Sequence, residues 1–195
     1  MRFESLLLDV KGRGVAFAPN AIDEEFLECL NAEITTLQYS EQAVDSDSMQ
    51  LKFAASKVIL PNAQLPALNT LGSHLGWQAR LHRGLNEKMS EWSPNEATVQ
   101  QYRDGSESIG AHRDYKTDLL LIAVVTTAGY GRFEVLSDDG AKVRERYETG
   151  PGSLVLLWAS GFSEGDGDKR PLHRALAPVG GARTSVTYRL AACDG

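Results

Sequence analysis

Residues 97–127 read ATVQQYRDGSESIGAHRDYKTDLLLIAVVTT, which is two short apolar or alternating runs joined by a polar segment. Similar runs follow at residues 131–137 (GRFEVLS), 152–158 (GSLVLLW) and 183–191 (RTSVTYRLA), with Gly, Asp and Pro between them. Short runs of this kind, separated by turn residues, are typical of the strands of a sandwich or barrel. We therefore predict that residues 96–192 form a mainly β core.

The first 95 residues have a different pattern, which indicates mostly helices. Ile22, Phe26, Leu30 and Ile34 recur at a four-residue spacing and predict a helix that starts near residues 21–23. The other elements predicted here are a strand or hairpin over residues 6–17, a loop over 40–50, a strand over 52–60 and a helix over 78–92. Together the two halves are expected to form a single domain over residues 1–195.

The composition is that of a globular protein, with 42% hydrophobic and 24% charged residues among 195, and it excludes global disorder. The net charge of −6 is unfavourable for a sequence-blind nucleic-acid binder, whose surface is usually basic. Cys29 and Cys193 are too few for a disulfide framework or a thiolate metal site. We find no signal peptide and no run of about 20 apolar residues, so we expect a cytoplasmic protein without a membrane partner.

His112 and Asp114 are separated by one residue and could bind one metal ion. On a strand, positions i and i+2 point to the same side of the sheet. A later histidine, His173 in PLHRAL (residues 171–176), would complete a set of two histidines and one carboxylate. That set leaves coordination positions open and suits non-haem iron(II) oxygenases. His-x-Asp alone is a weak signal, and a surface histidine beside a solvated aspartate is the alternative.

The last predicted strand carries two arginines on one face. Arg183, Ser185, Thr187 and Arg189 share this face and alternate with apolar residues. An arginine that points inward from a half-buried strand is costly unless an anion meets it. A dicarboxylate bound at a nearby metal would supply that anion, because a guanidinium pairs with a carboxylate through two parallel hydrogen bonds.

Two segments resemble the AlkB-like dioxygenases. VQQYRDGSESIGAHRD (residues 99–114) resembles the stretch in which a tyrosine strand and an Asp-Gly turn lead into that family's metal-binding His-x-Asp. RTSVTYR (residues 183–189) resembles its closing strand, which has two arginines separated by five residues. The motifs occur in the family's order and together span residues 100–189, whereas the N-terminal half adds little to the resemblance.

This resemblance implies a double-stranded β-helix, or jelly-roll, core with N-terminal helices packed on it, in the α+β class. It implies Fe(II) bound by His112, Asp114 and His173, with 2-oxoglutarate and O2 as cosubstrates. Arg183 matches the arginine that holds the far carboxylate of 2-oxoglutarate, and Arg189 matches a second arginine near the cosubstrate. The further cosubstrate contacts expected are Tyr102, Gln100 and Ser185, although Ser185 could equally be an ordinary strand hydroxyl.

The departures from the family pattern concern the substrate. Nucleic-acid members often carry acidic residues directly after the motif aspartate, where this chain has Tyr115 and Lys116. A proline-arginine lid motif is also missing between residues 40 and 65. The charged, glycine-rich residues 160–171 are expected to be a solvated loop rather than a second metal site. The candidate substrate contacts are Tyr115, Lys116, Tyr130, Arg132 and Trp158, of which the tryptophan is more simply a core or rim aromatic.

Three functions remain open at this point. The first is demethylation of alkylated nucleobases, in which hydroxylation of an N-methyl group releases formaldehyde. The second is hydroxylation of a small molecule, an amino acid or a protein side chain, which leaves a stable alcohol. The third is a binding module with an inactive site, which the intact ligand set argues against. The family resemblance favours the first function and the acidic net charge opposes it. On balance the sequence favours demethylation of alkylated nucleobases slightly, with hydroxylation as the alternative.

Overall fold

The computed structural model describes residues 3–46, 49–104, 109–162 and 168–192. The helices of this part are α1 (Phe3–Arg13), α2 (Glu24–Ile34) and α3 (Pro66–Leu81), and the 3-10 turns Arg83–Leu85 and Glu87–Ser90 follow α3. The strands are β1 (Val15–Ala18), β2 (Ser40–Ser46), β3 (Met49–Ile59), β4 (Glu96–Tyr102), β5 (Ile109–His112), β6 (Asp118–Ala128), β7 (Gly131–Leu136), β8 (Val143–Thr149), β9 (Leu154–Trp158), β10 (His173–Ala175) and β11 (Arg183–Ala191).

The strands form two antiparallel sheets. The major sheet has the order β1-β9-β6-β11-β4-β3-β2, and the minor sheet has the order β5-β10-β7-β8. In the major sheet β11 lies between β4 and β6, with Arg183 opposite Tyr102. In the minor sheet β10 lies beside β5, with His173 opposite His112. The mainly β core predicted for the C-terminal half is confirmed.

The helices pack on one face of the major sheet. Val186 and Tyr188 of β11 belong to the same buried cluster as Leu68 and Leu75 of α3. Tyr188 also donates a hydrogen bond from its hydroxyl to the carbonyl oxygen of Leu68, at 3.1 Å. At Gly72 a Cβ atom would lie 3.1 Å from the Tyr188 ring, so the missing side chain lets α3 approach the sheet closely.

The opposite face of the major sheet looks toward the minor sheet. A second apolar cluster fills part of this space, and it consists of Val15, Ile122, Phe133, Val135, Val155, Leu157 and Ala159. Tyr102 and Arg183 alternate along their strands with residues of the helix-side cluster, so their side chains also point between the sheets. This arrangement places polar groups in the interior near the ends of β5 and β10.

Two carboxylates cap the helices that support the major sheet. Asp23 precedes α2 and accepts a hydrogen bond from the backbone N–H of Phe26 at 2.8 Å, as an N-cap residue does. The N-terminus of α3 has no side-chain cap of its own. Glu33 of α2 accepts hydrogen bonds there from Ala67 N (2.6 Å) and Leu68 N (2.9 Å), and so ties the two helices together. The predicted helix starting near residues 21–23 is confirmed.

Several N-terminal predictions were wrong. Residues 6–17 are mostly helix α1, because Phe3, Leu6, Leu7 and Val10 are buried at helical spacing, and the strand begins only at Val15. The helix predicted over 78–92 is α3, which begins at Pro66 and ends at Leu81. Proline at the first helical position is a start signal that the prediction overlooked.

The loop predicted over residues 40–50 was also wrong, because β2 and the start of β3 pair there. β2 lies at the edge of the major sheet, where a strand need not bury an apolar face and is commonly polar. For the same reason the charged strand β8, at the edge of the minor sheet, gave no apolar pattern to predict it. None of the helices in the described ranges is long and apolar enough to cross a membrane.

Candidate active site

The pairing of β5 with β10 brings the two histidines together. His112 ends β5, His173 begins β10, and the two are register partners. Asp114 lies beyond the end of β5, yet its Oδ2 is 3.5 Å from Nε2 of His173. One ligand atom from each of the three residues lies within 4.8 Å of the others. The structure thus gathers all three predicted metal ligands at one point.

Backbone carbonyls orient both imidazole rings. Nδ1 of His112 lies 2.8 Å from the oxygen of Gly110, and Nδ1 of His173 lies 3.0 Å from the oxygen of Pro171. A carbonyl oxygen can only accept, so each Nδ1 carries the proton and Nε2 keeps its lone pair for a metal. Burial lowers the pKa of His173 to about 4, which keeps this ring neutral at neutral pH.

The three side chains fit a divalent transition metal. Bonds from such an ion to imidazole nitrogen and carboxylate oxygen are about 2.1 Å long, which places adjacent ligand atoms in an octahedron about 3 Å apart. The 3.5 Å between Asp114 and His173 is close to this value. Two imidazoles and one carboxylate on the same side of an ion are the ligand set of non-haem iron(II) oxygenases. We conclude that the residues present suit Fe(II).

Arg183 is a buried cation without a carboxylate partner in the described part of the chain. Only 2% of the residue is exposed, and burial lowers the pKa of its guanidinium. Nη2 donates to Oγ1 of Thr126 at 3.3 Å, and Nε has no hydrogen-bond partner. An isolated buried charge is unfavourable, so this guanidinium is suited to bind an anion that enters from outside the chain.

Tyr102 and Ser185 lie beside this guanidinium. The Arg183 Cζ atom is 5.4 Å from the centroid of the Tyr102 ring, and the hydroxyls of Tyr102 and Ser185 hydrogen bond to each other. Burial raises the pKa of Tyr102 to about 12. The phenol therefore keeps its proton near neutral pH and can serve as a hydrogen-bond donor.

Arg189 lies nearer to the metal ligands than Arg183 does. Its Nη2 is 3.6 Å from Oδ1 of Asp114, and its Nε is 3.3 Å from Oδ2 of Asp118. Nη1 donates to Oγ1 of Thr98 at 3.1 Å. Burial raises the pKa of Asp118, and the Arg189 guanidinium opposes that shift. Asp118 was not predicted as a site residue, although a charged residue opening the apolar run DLLLIAVV was a signal for one.

Gln100 shares the inward face of β4 with Tyr102 and is bonded within the sheet. Its Oε1 accepts a hydrogen bond from Oγ1 of Thr187 at 3.4 Å. Because Thr187 follows Ser185 on the same face of β11, Gln100 belongs to a row of polar side chains between Arg183 and Arg189.

The predicted substrate contacts lie in three different places. Tyr115 and Lys116 directly follow Asp114 in the sequence and are exposed. Tyr130 and Arg132 lie away from the metal ligands. Tyr130 lines an open cavity of about 810 Å³, and His112, Asp114 and His173 are not among the residues that line this cavity. Arg132 pairs with Glu148 at 2.9 Å on the exposed side of the minor sheet.

Trp158 lies on the helix-side face of β9 and not between the sheets. Trp158 packs against the apolar cluster that contains Leu154 and Leu156. Its ring contacts the Phe162 ring edge-on, with 5.0 Å between the ring centroids. The structure therefore does not bring Trp158 into the interior that holds the metal ligands, because alternation along β9 directs Val155 and Leu157 there instead.

No protein-family model and no curated protein matches the sequence. Solved structures match over nearly the whole chain. A prolyl-4-hydroxylase from Pseudomonas putida has a TM-score of 0.71 at 13% identity, covering 98% of this chain and 100% of its own. A Burkholderia pseudomallei oxidoreductase of the 2OG-Fe(II) oxygenase family also has a TM-score of 0.71, at 15% identity and coverages of 98% and 91%. This chain has the fold of these oxygenases.

The predicted double-stranded β-helix with N-terminal helices is thereby confirmed. The fold itself accommodates more than one reaction. A non-heme alpha ketoglutarate dependent epimerase from nogalamycin biosynthesis matches with a TM-score of 0.66 at 15% identity, covering 97% of this chain and 82% of its own. The reaction of this double-stranded β-helix protein must therefore be argued from its site.

Proposed function

We propose that the protein is an Fe(II)- and 2-oxoglutarate-dependent dioxygenase that hydroxylates a C–H bond of its substrate. The observation that carries the proposal is the convergence of His112, Asp114 and His173 in the same interior that holds Arg183. Two histidines and one carboxylate suit the metal, and the buried unpaired guanidinium suits a carboxylate ligand. The expected metal and the expected cosubstrate thus each have residues in the chain that suit their binding.

His112, Asp114 and His173 would hold Fe(II) from one side and leave the remaining positions for cosubstrate and O2. Iron(II) bound there supplies the chemistry that couples decarboxylation of 2-oxoglutarate to succinate and CO2 with hydroxylation of a C–H bond. Because Asp114 provides a carboxylate where a small residue would leave a vacancy for halide, the ligand set favours hydroxylation over halogenation. The carbonyl contacts at Nδ1 of both histidines keep the rings aimed at the ion.

Arg183 would bind the far carboxylate of 2-oxoglutarate. Its Nε has no hydrogen-bond partner and its Nη2 makes only a long contact with Thr126, so two parallel donors are available to a carboxylate. Tyr102 would donate a further hydrogen bond to the cosubstrate, since its proton is retained. The interior position of both residues keeps water away from this ion pair and strengthens it.

We favour a small molecule, an amino acid or a protein side chain as the substrate. A nucleic-acid substrate would need phosphate contacts from basic residues, for which the candidates are Arg113, Lys116, Arg132, Lys169, Arg170 and Arg174. Four of these six already pair with carboxylates. Lys116 and Lys169 form no ion pair with a described carboxylate, and two cations give a polyanion little to bind. The paired residues are Arg113 with Asp138, Arg132 with Glu148, Arg170 with Asp168, and Arg174 with Glu134.

Demethylation of an alkylated nucleobase is the second candidate. It is favoured by the resemblance of residues 99–114 and 183–189 to AlkB-like enzymes. A single flipped or single-stranded base needs a pocket rather than a long basic groove, so the acidic net charge does not exclude it.

The two candidates differ in their products. The experiment is to incubate the iron-loaded protein with 2-oxoglutarate and O2, and then to measure succinate and formaldehyde. Methylated oligonucleotides are compared with a panel of small metabolites and peptides. Formation of succinate that depends on an added substrate supports dioxygenase activity. Formaldehyde formed in an amount equal to the succinate supports demethylation. A stable alcohol product without formaldehyde supports hydroxylation of a small molecule, an amino acid or a protein side chain. Absence of succinate under every condition, including without substrate, contradicts the proposed reaction.

A further inference from the structure

Two arginines beside the metal ligands donate hydrogen bonds to backbone carbonyls of the opposite ligand segment. Arg113 lies between His112 and Asp114, and its Nη1 donates to the carbonyl oxygen of Arg170. Arg170 lies three residues before His173, and its Nη1 donates to the carbonyl oxygen of Asp114. Each guanidinium therefore connects the segment that carries Asp114 with the segment that leads into His173. We call Arg113 and Arg170 the arginine brace.

A carboxylate holds each guanidinium of the arginine brace in place. Nη2 of Arg113 donates to Oδ1 of Asp138 at 2.9 Å, and Nε of Arg170 donates to Oδ1 of Asp168 at 2.8 Å. The two arginine side chains are mostly buried, at 21% and 11% exposed, whereas their carboxylate partners are more exposed. Hydrogen bonding to Arg170 lowers the pKa of Asp168 to about 2, so this carboxylate stays charged near neutral pH.

Strand pairing alone fixes the ligand segments poorly. The ladder between β5 and β10 contains the pairs His112–His173 and Ile109–Ala175, with an irregular register between them. Asp114 lies beyond the end of β5, so the ladder does not hold it. The arginine brace acts at this point, because Arg170 binds the backbone of Asp114 directly. The charges of Asp114 and Asp118 also attract the Arg170 guanidinium.

We propose that Arg113 and Arg170 are positioning residues of the metal centre, an inference that rests on the proposed function. The arginine brace sets the separation of Asp114 from His173 before the ion binds, so that binding requires less rearrangement of the ligands. Groups that orient metal ligands without touching the metal typically change its affinity by about 10- to 100-fold when they are removed. The proposal assigns this role to two side chains that do not contact the reacting atoms.

Metal affinity measured without turnover tests the proposal. Co(II) is titrated into the metal-free full-length protein by calorimetry, and the visible spectrum of bound Co(II) reports the ligand geometry. We expect Arg170→Ala and Arg113→Ala each to weaken Co(II) binding by about 10- to 100-fold and to alter the spectrum. Because both arginines act on the same junction, the double variant should lose less than the product of the two single losses.

Arg174→Ala is the matched control. Arg174 directly follows His173 and forms an equally close ion pair, with Glu134, but it makes no hydrogen bond to the segments that carry the ligands. Its removal should leave the Co(II) affinity within about twofold of wild type. Thermal unfolding of each metal-free variant separates a loss of global stability from a loss of positioning.

Further variants keep the test decisive if Arg170→Ala does not fold. Arg170→Lys keeps the charge, but a compact ammonium lacks the planar fork whose separate nitrogens contact Asp114 and Asp168. Asp168→Asn removes only the charge of the carboxylate that orients Arg170. Both Arg170→Lys and Asp168→Asn should weaken Co(II) binding, and Asp168→Asn should weaken it by the smaller factor. Wild-type affinity in the folded brace variants overturns the proposal and leaves the proposed function intact. Failure of the wild-type protein to bind Co(II) overturns both.

Discussion

The guanidinium of Arg183 lies over the ring of Tyr102, and the two residues are register partners on β11 and β4. Both side chains are buried. A ring face attracts a cation but cannot accept two parallel hydrogen bonds, so the charge of Arg183 still lacks a counterion among the described residues. This contact offsets part of the cost of burying the guanidinium, and it would place Tyr102 beside an anion bound to Arg183.

Replacing Arg183 by alanine should weaken 2-oxoglutarate binding and leave metal binding unchanged. Removing one partner of a buried charge pair costs about 2–5 kcal/mol, so we expect the dissociation constant to rise by at least about 30-fold. Calorimetric titration of the Co(II)-loaded protein with 2-oxoglutarate measures it. Arg132→Ala removes an exposed paired arginine and is the control; an unchanged constant in Arg183→Ala would remove Arg183 from the cosubstrate site.

Tyr102→Phe should produce a smaller loss in the same direction. The substitution deletes one hydrogen bond and keeps the ring next to Arg183. A single hydrogen bond contributes about 0.5–1.5 kcal/mol, which corresponds to a rise of roughly 2- to 13-fold in the 2-oxoglutarate dissociation constant. Ser185→Ala tests the partner of the same hydroxyl. If Tyr102→Phe binds 2-oxoglutarate more weakly than Arg183→Ala, the order of the two contributions is wrong.

Glu33→Ala should destabilise the fold without affecting the site directly. Its carboxylate caps the N-terminus of α3 through two backbone N–H groups, and loss of such a cap costs about 0.5–2 kcal/mol. Urea unfolding of the metal-free protein measures the change. Glu28, on the same helix but exposed, provides the control variant Glu28→Ala, which should change the unfolding free energy by less than about 0.5 kcal/mol. Equal effects of the two variants would refute the capping role.

Salt dependence distinguishes the two substrate classes. Each phosphate neutralised by a lysine or arginine releases counterions, so binding of an oligonucleotide falls steeply as salt increases. With four of the six candidate cations already paired, we expect weak or undetectable binding of a methylated oligonucleotide even at low salt. The Co(II)-loaded protein with 2-oxoglutarate is the sample. Tight binding with a steep salt slope would instead support the nucleobase substrate.

The chemistry of the site was more predictable than its surroundings. His112, Asp114 and His173 were predicted from residue type, spacing and the resemblance to AlkB-like enzymes, and the structure brings the three side chains together. Asp118 and Arg170 could not be chosen in the same way. Their roles depend on Arg189 and Asp114, contacts that only the folded chain creates, and charged residues of this kind are common on ordinary surfaces.

The strands were predicted correctly where burial gives the sequence a recognisable apolar pattern. β6, β9 and β11 are largely buried, and their apolar runs were recognised. β2 and β8 lie at sheet edges, where backbone pairing rather than side-chain burial defines the strand. The placement of Trp158 depends on which face of β9 points inward, and a one-residue difference in register reverses that face.

We propose that His112, Asp114 and His173 together bind one Fe(II). Equilibrium dialysis under anaerobic conditions tests it most directly, with wild type compared with Asp114→Ala and His173→Ala, and with His74→Ala as a control histidine outside the site. We predict one iron per chain in the wild type and in the control, and no iron retained at micromolar concentrations in the two ligand variants. Stoichiometric iron in either ligand variant would contradict the claim.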